Sequence, residues 1–252
     1  GHLEVVKELL DNGANVNFIN KYDRKAPIHF ASEKGHLEIV KELLDKENNI
    51  NINIRDNYNY TPLHFASEKG HLEIVKELLG RGANLEDKDN SGNTPLYYAS
   101  KNRHLEIVKE LLNKGANFEN KTIIGRTILH EAAEKGYLEI VEELINRGAN
   151  LEDKDNLGNT PLHYAARTDN LEIVKILVEN GAPLNTLNNQ RSKPIDYSSN
   201  VEIMEYLSKA KQMFDKRKIY PFLYNIVYNY SMNKYGEIRK WEIKINISIK
   251  LL

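Results

Sequence analysis

Leu72-Glu73-Ile74-Val75-Lys76-Glu77-Leu78-Leu79 sets Leu72, Val75, Leu78 and Leu79 on one stripe of a helix, with Ile74 at its edge and Glu73, Lys76 and Glu77 turned to water. The same order of apolar and polar positions returns from Leu37, Leu105 and Leu138, and from Leu171 with Ile176 in place of the second glutamate. Each is predicted to be a helix that buries one side. A shorter stretch precedes each of them, and in three places it opens on Thr-Pro: Thr61-Pro62, Thr94-Pro95 and Thr160-Pro161. A hydroxyl at the N-cap and a proline at the first helical position, where its missing N–H costs nothing, start a first helix there. Gly70 and Gly136 end it by taking the left-handed conformation. Gly82-Ala83-Asn84 stops the second helix, and Asp87 to Gly92 supplies the Asx and glycine chemistry of a tight reversal, a hairpin-like finger.

The period is 33 residues. Units run over 56–88, 89–121, 122–154 and 155–187, and 21–55 is the same unit with two extra residues absorbed between Glu47 and Asn53. Residues 1–20 match the second half of a unit, and 188–210 a shortened one that is expected to cap the array, since a last unit has no neighbour to cover its outer face. The expected organisation is an array over 1–210 and a separate tail over 211–252. The chain opens on Gly1 inside a unit and is read as a piece of a longer polypeptide.

Thr61-Pro62-Leu63-His64-Phe65-Ala66 and Thr160-Pro161-Leu162-His163-Tyr164-Ala165, with Gly70-His71-Leu72-Glu73-Ile74-Val75 and Gly82-Ala83 completing the frame, give the units a clear resemblance to ankyrin repeats. The resemblance covers residues 1 to about 210 and implies an all-α repeat solenoid of stacked helix-turn-helix units with finger loops. Three departures stand out: Ala26 for the capping threonine, Ile128 for the proline and Tyr97 for the motif histidine. Stability in such an array is a sum over neighbouring units, so the fold is expected to survive all three.

Composition narrows the chemistry. The chain has 252 residues, 40% hydrophobic and 28% charged with a net charge of −1, so it folds and carries no global attraction for nucleic acid or anionic membrane. It has no cysteine, which removes disulfides and thiolate sites and fits an intracellular, cytoplasmic protein. No transmembrane segment is present in the sequence. The eight histidines fall in repeat slots: His29, His64, His130 and His163 in one, His2, His36, His71 and His104 in another. The resemblance implies a structural role for both. Slots one repeat apart, roughly 10 Å by helix packing distances, do not let two rings share a zinc ion. Glu38, Glu73, Glu106, Glu139 and Glu172 recur at one solvent-facing position and read as a solvated row. No nucleophile elbow or phosphate-cradling glycine cluster occurs, so no enzyme activity, cofactor or metal is expected.

The expected function is that of an adaptor, a monomer that binds a protein partner through finger loops and the concave face. A second reading makes it the regulatory or targeting arm of a larger polypeptide. The resemblance places contacts on the fingertips and on the exposed side of the first helices. Tyr58, Tyr60, Ile123, Ile124, Arg126 and Leu157 are the expected anchors, because tyrosine and arginine dominate interface energetics and isoleucine is unexpected on a polar fingertip. Asp23, Lys25, Asn93, Asn159, Lys101 and Arg167 complete the face. Ile123 and Ile124 can equally pack against the neighbouring finger. Phe30, Phe65, Tyr98 and Tyr164 form a column that either lines the groove or packs between units, and Glu131 interrupts it. From Lys209 onward ten Lys or Arg stand against Asp215, Glu237 and Glu242. No nucleic-acid motif accompanies them, and Trp241 to Ile249 alternates as a strand would.

Overall fold

The computed structural model describes residues 1–46 and 50–219, with side chains as far as 213. Within Gly1–Ile203, one compact unit, helices come in pairs. The half repeat supplies α1 (Leu3–Asp11). The first-and-second helix pairs are α2 (Pro27–Lys34) with α3 (Leu37–Lys46), α4 (Pro62–Lys69) with α5 (Leu72–Gly80), α6 (Pro95–Lys101) with α7 (Leu105–Asn113), α8 (Ile128–Lys135) with α9 (Leu138–Asn146), and α10 (Pro161–Arg167) with α11 (Leu171–Glu179). A 3-10 turn at Pro194–Tyr197 follows, in contact with α10. First helices pack on first helices of neighbouring units, and second helices on second helices. The second unit begins at Met204. Helix α12 (Val201–Ile219) runs across the expected start of the tail at 211. Of the stretch from Glu47 to Asn53 expected to absorb the two extra residues, 47–49 lie outside the described residues, as does the alternating stretch 241–249. Among the described residues no helix is long and apolar enough to cross a membrane.

The buried arc of the second helix differs from the expected stripe. Ile74, Val75 and Leu78 are buried, whereas Leu72 and Leu79 are only partly so. At 100° per residue Leu78 projects between Ile74 and Val75, so Ile74 belongs to the centre of the buried face. The triplet repeats as Ile107, Val108 and Leu111, as Ile140, Val141 and Leu144, and as Ile173, Val174 and Leu177, all at most 2% exposed.

The first histidine column closes the N-caps. His64 Nδ1 accepts the Thr61 N–H at 3.1 Å and lies 2.8 Å from its hydroxyl, while Nε2 donates to the Asn93 carbonyl of the next unit at 3.2 Å. His130 and His163 repeat the arrangement. Ala26 has no hydroxyl to offer, yet its N–H still reaches His29 Nδ1 at 2.9 Å, and His29 Nε2 donates to the Ile54 and Tyr60 carbonyls. The cap therefore outlasts the loss of the threonine. The second column ties units together from the other end of the first helix. His71 Nε2 donates to Glu33 O at 3.2 Å, His104 Nε2 to Glu68 O at 3.0 Å, and the Tyr137 hydroxyl takes the same place on Lys101 O at 3.3 Å.

Fingers are built by their leading Asx residues. Asp56 Oδ1 accepts the Tyr58 and Tyr60 N–H groups, both at 2.8 Å, and Asp89 and Asp155 do the same in their units. Neighbouring fingers are joined by one backbone ladder: Asn57 N–H to Asp23 O, Asn90 to Tyr58 O, Ile123 to Ser91 O, Asn156 to Ile124 O and Asn189 to Leu157 O, at 3.0 to 3.2 Å.

Candidate protein-binding face

The fingertips and the finger bases have opposite fates. At the tips Tyr58 is 65% exposed, Ile123 68%, Ile124 52% and Leu157 62%, so the two isoleucines do not bury themselves against the next finger. Tyr22, not among the expected anchors, is 92% exposed. A tyrosine in the slot that holds Asn57 and Asn90 is the sequence signal that could have found it.

The asparagine of that slot has a task of its own. Asn57 Nδ2 donates to Tyr22 O, Asn90 Nδ2 to Asn57 O, Asn156 Nδ2 to Ile123 O and Asn189 Nδ2 to Asn156 O, at 2.9 to 3.3 Å. Ile123 occupies the slot in the fourth full unit and has no amide to donate.

Five residues expected as contacts at the finger bases are drawn inside, and this corrects the expectation for them. Arg126 keeps only 18% of its side chain exposed: it donates to Glu134 Oε2 at 2.6 Å and to the Tyr164 hydroxyl at 2.7 Å, and its guanidinium lies 4.2 Å from the Tyr164 ring centre. Lys25, 16% exposed, pairs with Glu33 at 2.9 Å and sits 4.3 Å over the Phe65 ring. Half-buried Tyr60 packs 5.0 Å from Tyr98 and 5.1 Å from Phe65, and burial pushes its hydroxyl up to about 12. Buried Asn159 accepts from Asn188 Nδ2 at 2.7 Å, and Asn93 donates to Asp89 and to the Tyr98 hydroxyl. Each partner comes from the same unit or the following one, so the base of one finger is sealed by its own array. Asp23 is partly buried and accepts the Lys25 N–H at 3.2 Å. Lys101 and Arg167 remain exposed on the first helices, Arg167 bonded to Glu134 and 4.8 Å over the Tyr164 ring.

The aromatic column divides accordingly. Phe65, Tyr98 and Tyr164 are buried between units, and only Phe30 is exposed, at 42%. Tyr98 and Tyr164 donate to Asp89 at 2.6 Å and to Asp155 at 2.5 Å. Glu131, in the same register, is buried and lies 3.6 Å from Arg126. Above Phe65, Tyr60 and Tyr98 an open cleft of about 370 Å³ is walled by Asp23, Asp56 and Tyr58.

A family model described as ankyrin repeats, three copies, matches residues 1–89, 83–155, 99–188 and 129–218, which together take in most of the chain. The chain belongs to the ankyrin-repeat family. No curated protein matches it. Ankyrin repeats are generally protein–protein interaction modules, typically non-catalytic, and the sealed finger bases with open tips describe how this ankyrin array divides its residues between holding units together and facing outward.

Proposed function

We propose that the array is an adaptor that binds a protein partner through its fingertips and the adjoining side of its first helices, with Ile123, Ile124 and Leu157 as the apolar anchors and Tyr58 extending the contact. The observation that carries this reading is Ile123. Four units place an asparagine there that bonds the preceding finger, and the fourth full unit gives up that bond for an isoleucine left 68% exposed. A change that costs the fold a hydrogen bond and buries nothing in return is supported by a use outside the fold. Asn156, Asn90 and Ser91 surround the patch without charge, which fits the apolar centre and polar rim of protein interfaces.

The test is quantitative capture of the partner by Ile123→Asn and Ile124→Asn, side chains already tolerated at fingertips. A loss of roughly tenfold or more is expected, within the range of an interface hot spot, while Glu73→Ala and Lys109→Ala on the second helices leave capture intact. Capture that survives the fingertip changes and falls with Glu73 or Lys109 would place the interface on the opposite face.

A further inference from the structure

Charge is sorted between the two helices of each pair. In the fingers 21–25, 56–60, 89–93, 122–126 and 155–159 and the first helices that follow them, no carboxylate is exposed. Asp56, Asp89 and Asp155 are buried and accept N–H groups of their own fingers, while Glu33 is held by Lys25, and Glu134 by Arg126 and Arg167. The cations are left facing water: each first helix ends on one, at Lys34, Lys69, Lys101, Lys135 or Arg167, and the first finger adds Lys21 and Arg24. Among the described residues Lys21, Arg24, Lys34, Lys101 and Lys135 have no ion pair. Exposed carboxylates stand instead on the second helices, at Glu38, Glu73, Glu106, Glu139 and Glu172, and return on the finger side only past Arg167, at Asp169 and Asp196. The basic face is therefore local, because residues 1–208 hold 25 Lys or Arg against 33 Asp or Glu.

A cation in the last turn suits the helix dipole, but the dipole explains neither the missing exposed acids nor Arg24. Arg24 holds φ at 59° where the third, fourth and fifth fingers have Gly92, Gly125 and Gly158. That left-handed conformation costs a side chain energy, and the guanidinium has no hydrogen bond or ion pair among the described residues to offset it. We infer that the protein partner presents an acidic segment, with apolar side chains for Ile123, Ile124 and Leu157 and Asp or Glu side chains for the row of cations at the first-helix ends. Lys34 and Lys135 stand three units apart, about 30 Å at helix packing distances, which roughly ten extended residues reach. Charge complementarity selects this occupant. The chain's own segment from Lys209 onward, with ten Lys or Arg against Asp215, Glu237 and Glu242, has the wrong sign. A nucleic acid would bring a phosphate at every nucleotide to a net acidic array whose most exposed tips are apolar. The inference rests on the adaptor reading and adds the charge of the partner.

The probe is a random dodecapeptide display library selected on the immobilised full chain, the tightest peptide then being synthesised and followed by fluorescence anisotropy. Selected peptides are expected to combine an excess of Asp and Glu with Leu, Ile or aromatic residues, and to bind severalfold more weakly when salt is raised from about 50 to about 200 mM. Reversing Lys34, Lys101 and Lys135 together to Glu is expected to weaken the peptide roughly tenfold, the scale of three exposed ion pairs. Reversing Lys76, Lys109 and Lys175 on the second helices changes the net charge equally and is expected to leave binding within about twofold, since charges a Debye length away are screened. No enrichment, enriched peptides without acidic excess, or equal losses from the two triple reversals would each overturn the inference. So would tighter binding of oligothymidylate or phosphatidylserine vesicles than of any selected peptide, or self-association of the chain that the first reversal abolishes. The two readings fail separately. Neutral peptides released by Ile123→Asn refute the acidic segment and keep the fingertip anchors, whereas acidic peptides indifferent to Ile123→Asn do the reverse.

Discussion

The Arg126 guanidinium lies 4.2 Å from the centre of the Tyr164 ring and donates to its hydroxyl at 2.7 Å, although the two residues stand 38 apart in sequence. The contact joins the finger of one unit to the first helix of the next. Arg126→Ala is therefore expected to destabilise the array by about 1–3 kcal/mol, the sum of a partly desolvated cation–aromatic contact and charged hydrogen bonds. An exposed fingertip change stays within about 0.5 kcal/mol. Urea denaturation of Arg126→Ala beside Ile124→Asn separates the two classes, and equal midpoints would show that Arg126 carries no inter-unit stability.

Buried hydroxyls give a second contrast. Ser32, Ser67 and Ser100 are 0% exposed and their Oγ atoms have no hydrogen-bond partner, while Ala133 and Ala166 fill the same slot in the next two units. An unsatisfied buried hydroxyl costs about 1–3 kcal/mol and leaves only a small volume when removed. Ser67→Ala is expected to hold or raise the denaturation midpoint, and Ala166→Ser to lower it. A clear loss in Ser67→Ala would mean that the hydroxyl has a partner after all.

These contrasts also mark what could be read from the chain. Helices, caps and fingers were legible because their causes are local: Thr61 and Pro62 start a helix and Gly70 ends it within a single unit. The exposed Tyr58 and Leu157 follow from the same local rule. Tyr60, Arg126 and Asn159 did not, because what covers them is one unit away, at Tyr98, Tyr164 and Asn188. Aligning the units by register rather than reading each finger alone carries the missing signal, since Lys25 and Arg126 coincide with carboxylates at Glu33 and Glu134. No such signal exists for Ile123, whose exposure depends on how closely neighbouring fingers stack.

The histidine caps impose a pH dependence. Burial holds the His29, His64, His130 and His163 imidazoles below the ordinary value of 6.5, because protonating Nδ1 would break the bond it accepts from the N-cap N–H. The unfolded chain binds these protons first, so stability is full above about pH 6.5 and falls as pH drops below it. The slope reaches about 1.4 kcal/mol per pH unit for each ring kept neutral. Denaturation midpoints from pH 7.5 to 5.5 should decline, most steeply below 6.5. A flat profile would mean that the rings accept protons in place.

Backbone conformation yields the last expectation. Gly35, Gly70 and Gly136 close their first helices at φ of 77°, 83° and 76°, and the same slot in the third and fifth full units holds Arg103 at 59° and Asp169 at 54°. A side chain in this region costs roughly 1–2 kcal/mol. What Arg103 gains in return is an ion pair to Glu139 at 3.2 Å, with both side chains more than half exposed, and a cation–aromatic contact 5.8 Å from the centre of the Tyr137 ring, worth little in water. Arg103→Gly should therefore raise the denaturation midpoint. Gly70 does not permit the reverse exchange, since a Cβ there would stand 2.7 Å from His104 Cε1, whose ring donates to Glu68 O. Gly70→Ala adds that clash to the backbone strain and breaks the tie between two units, so it should cost more than Arg103→Gly gains. Comparing the two variants by urea denaturation decides the matter: a destabilised Arg103→Gly would show that the guanidinium contacts across the unit boundary outweigh the left-handed backbone.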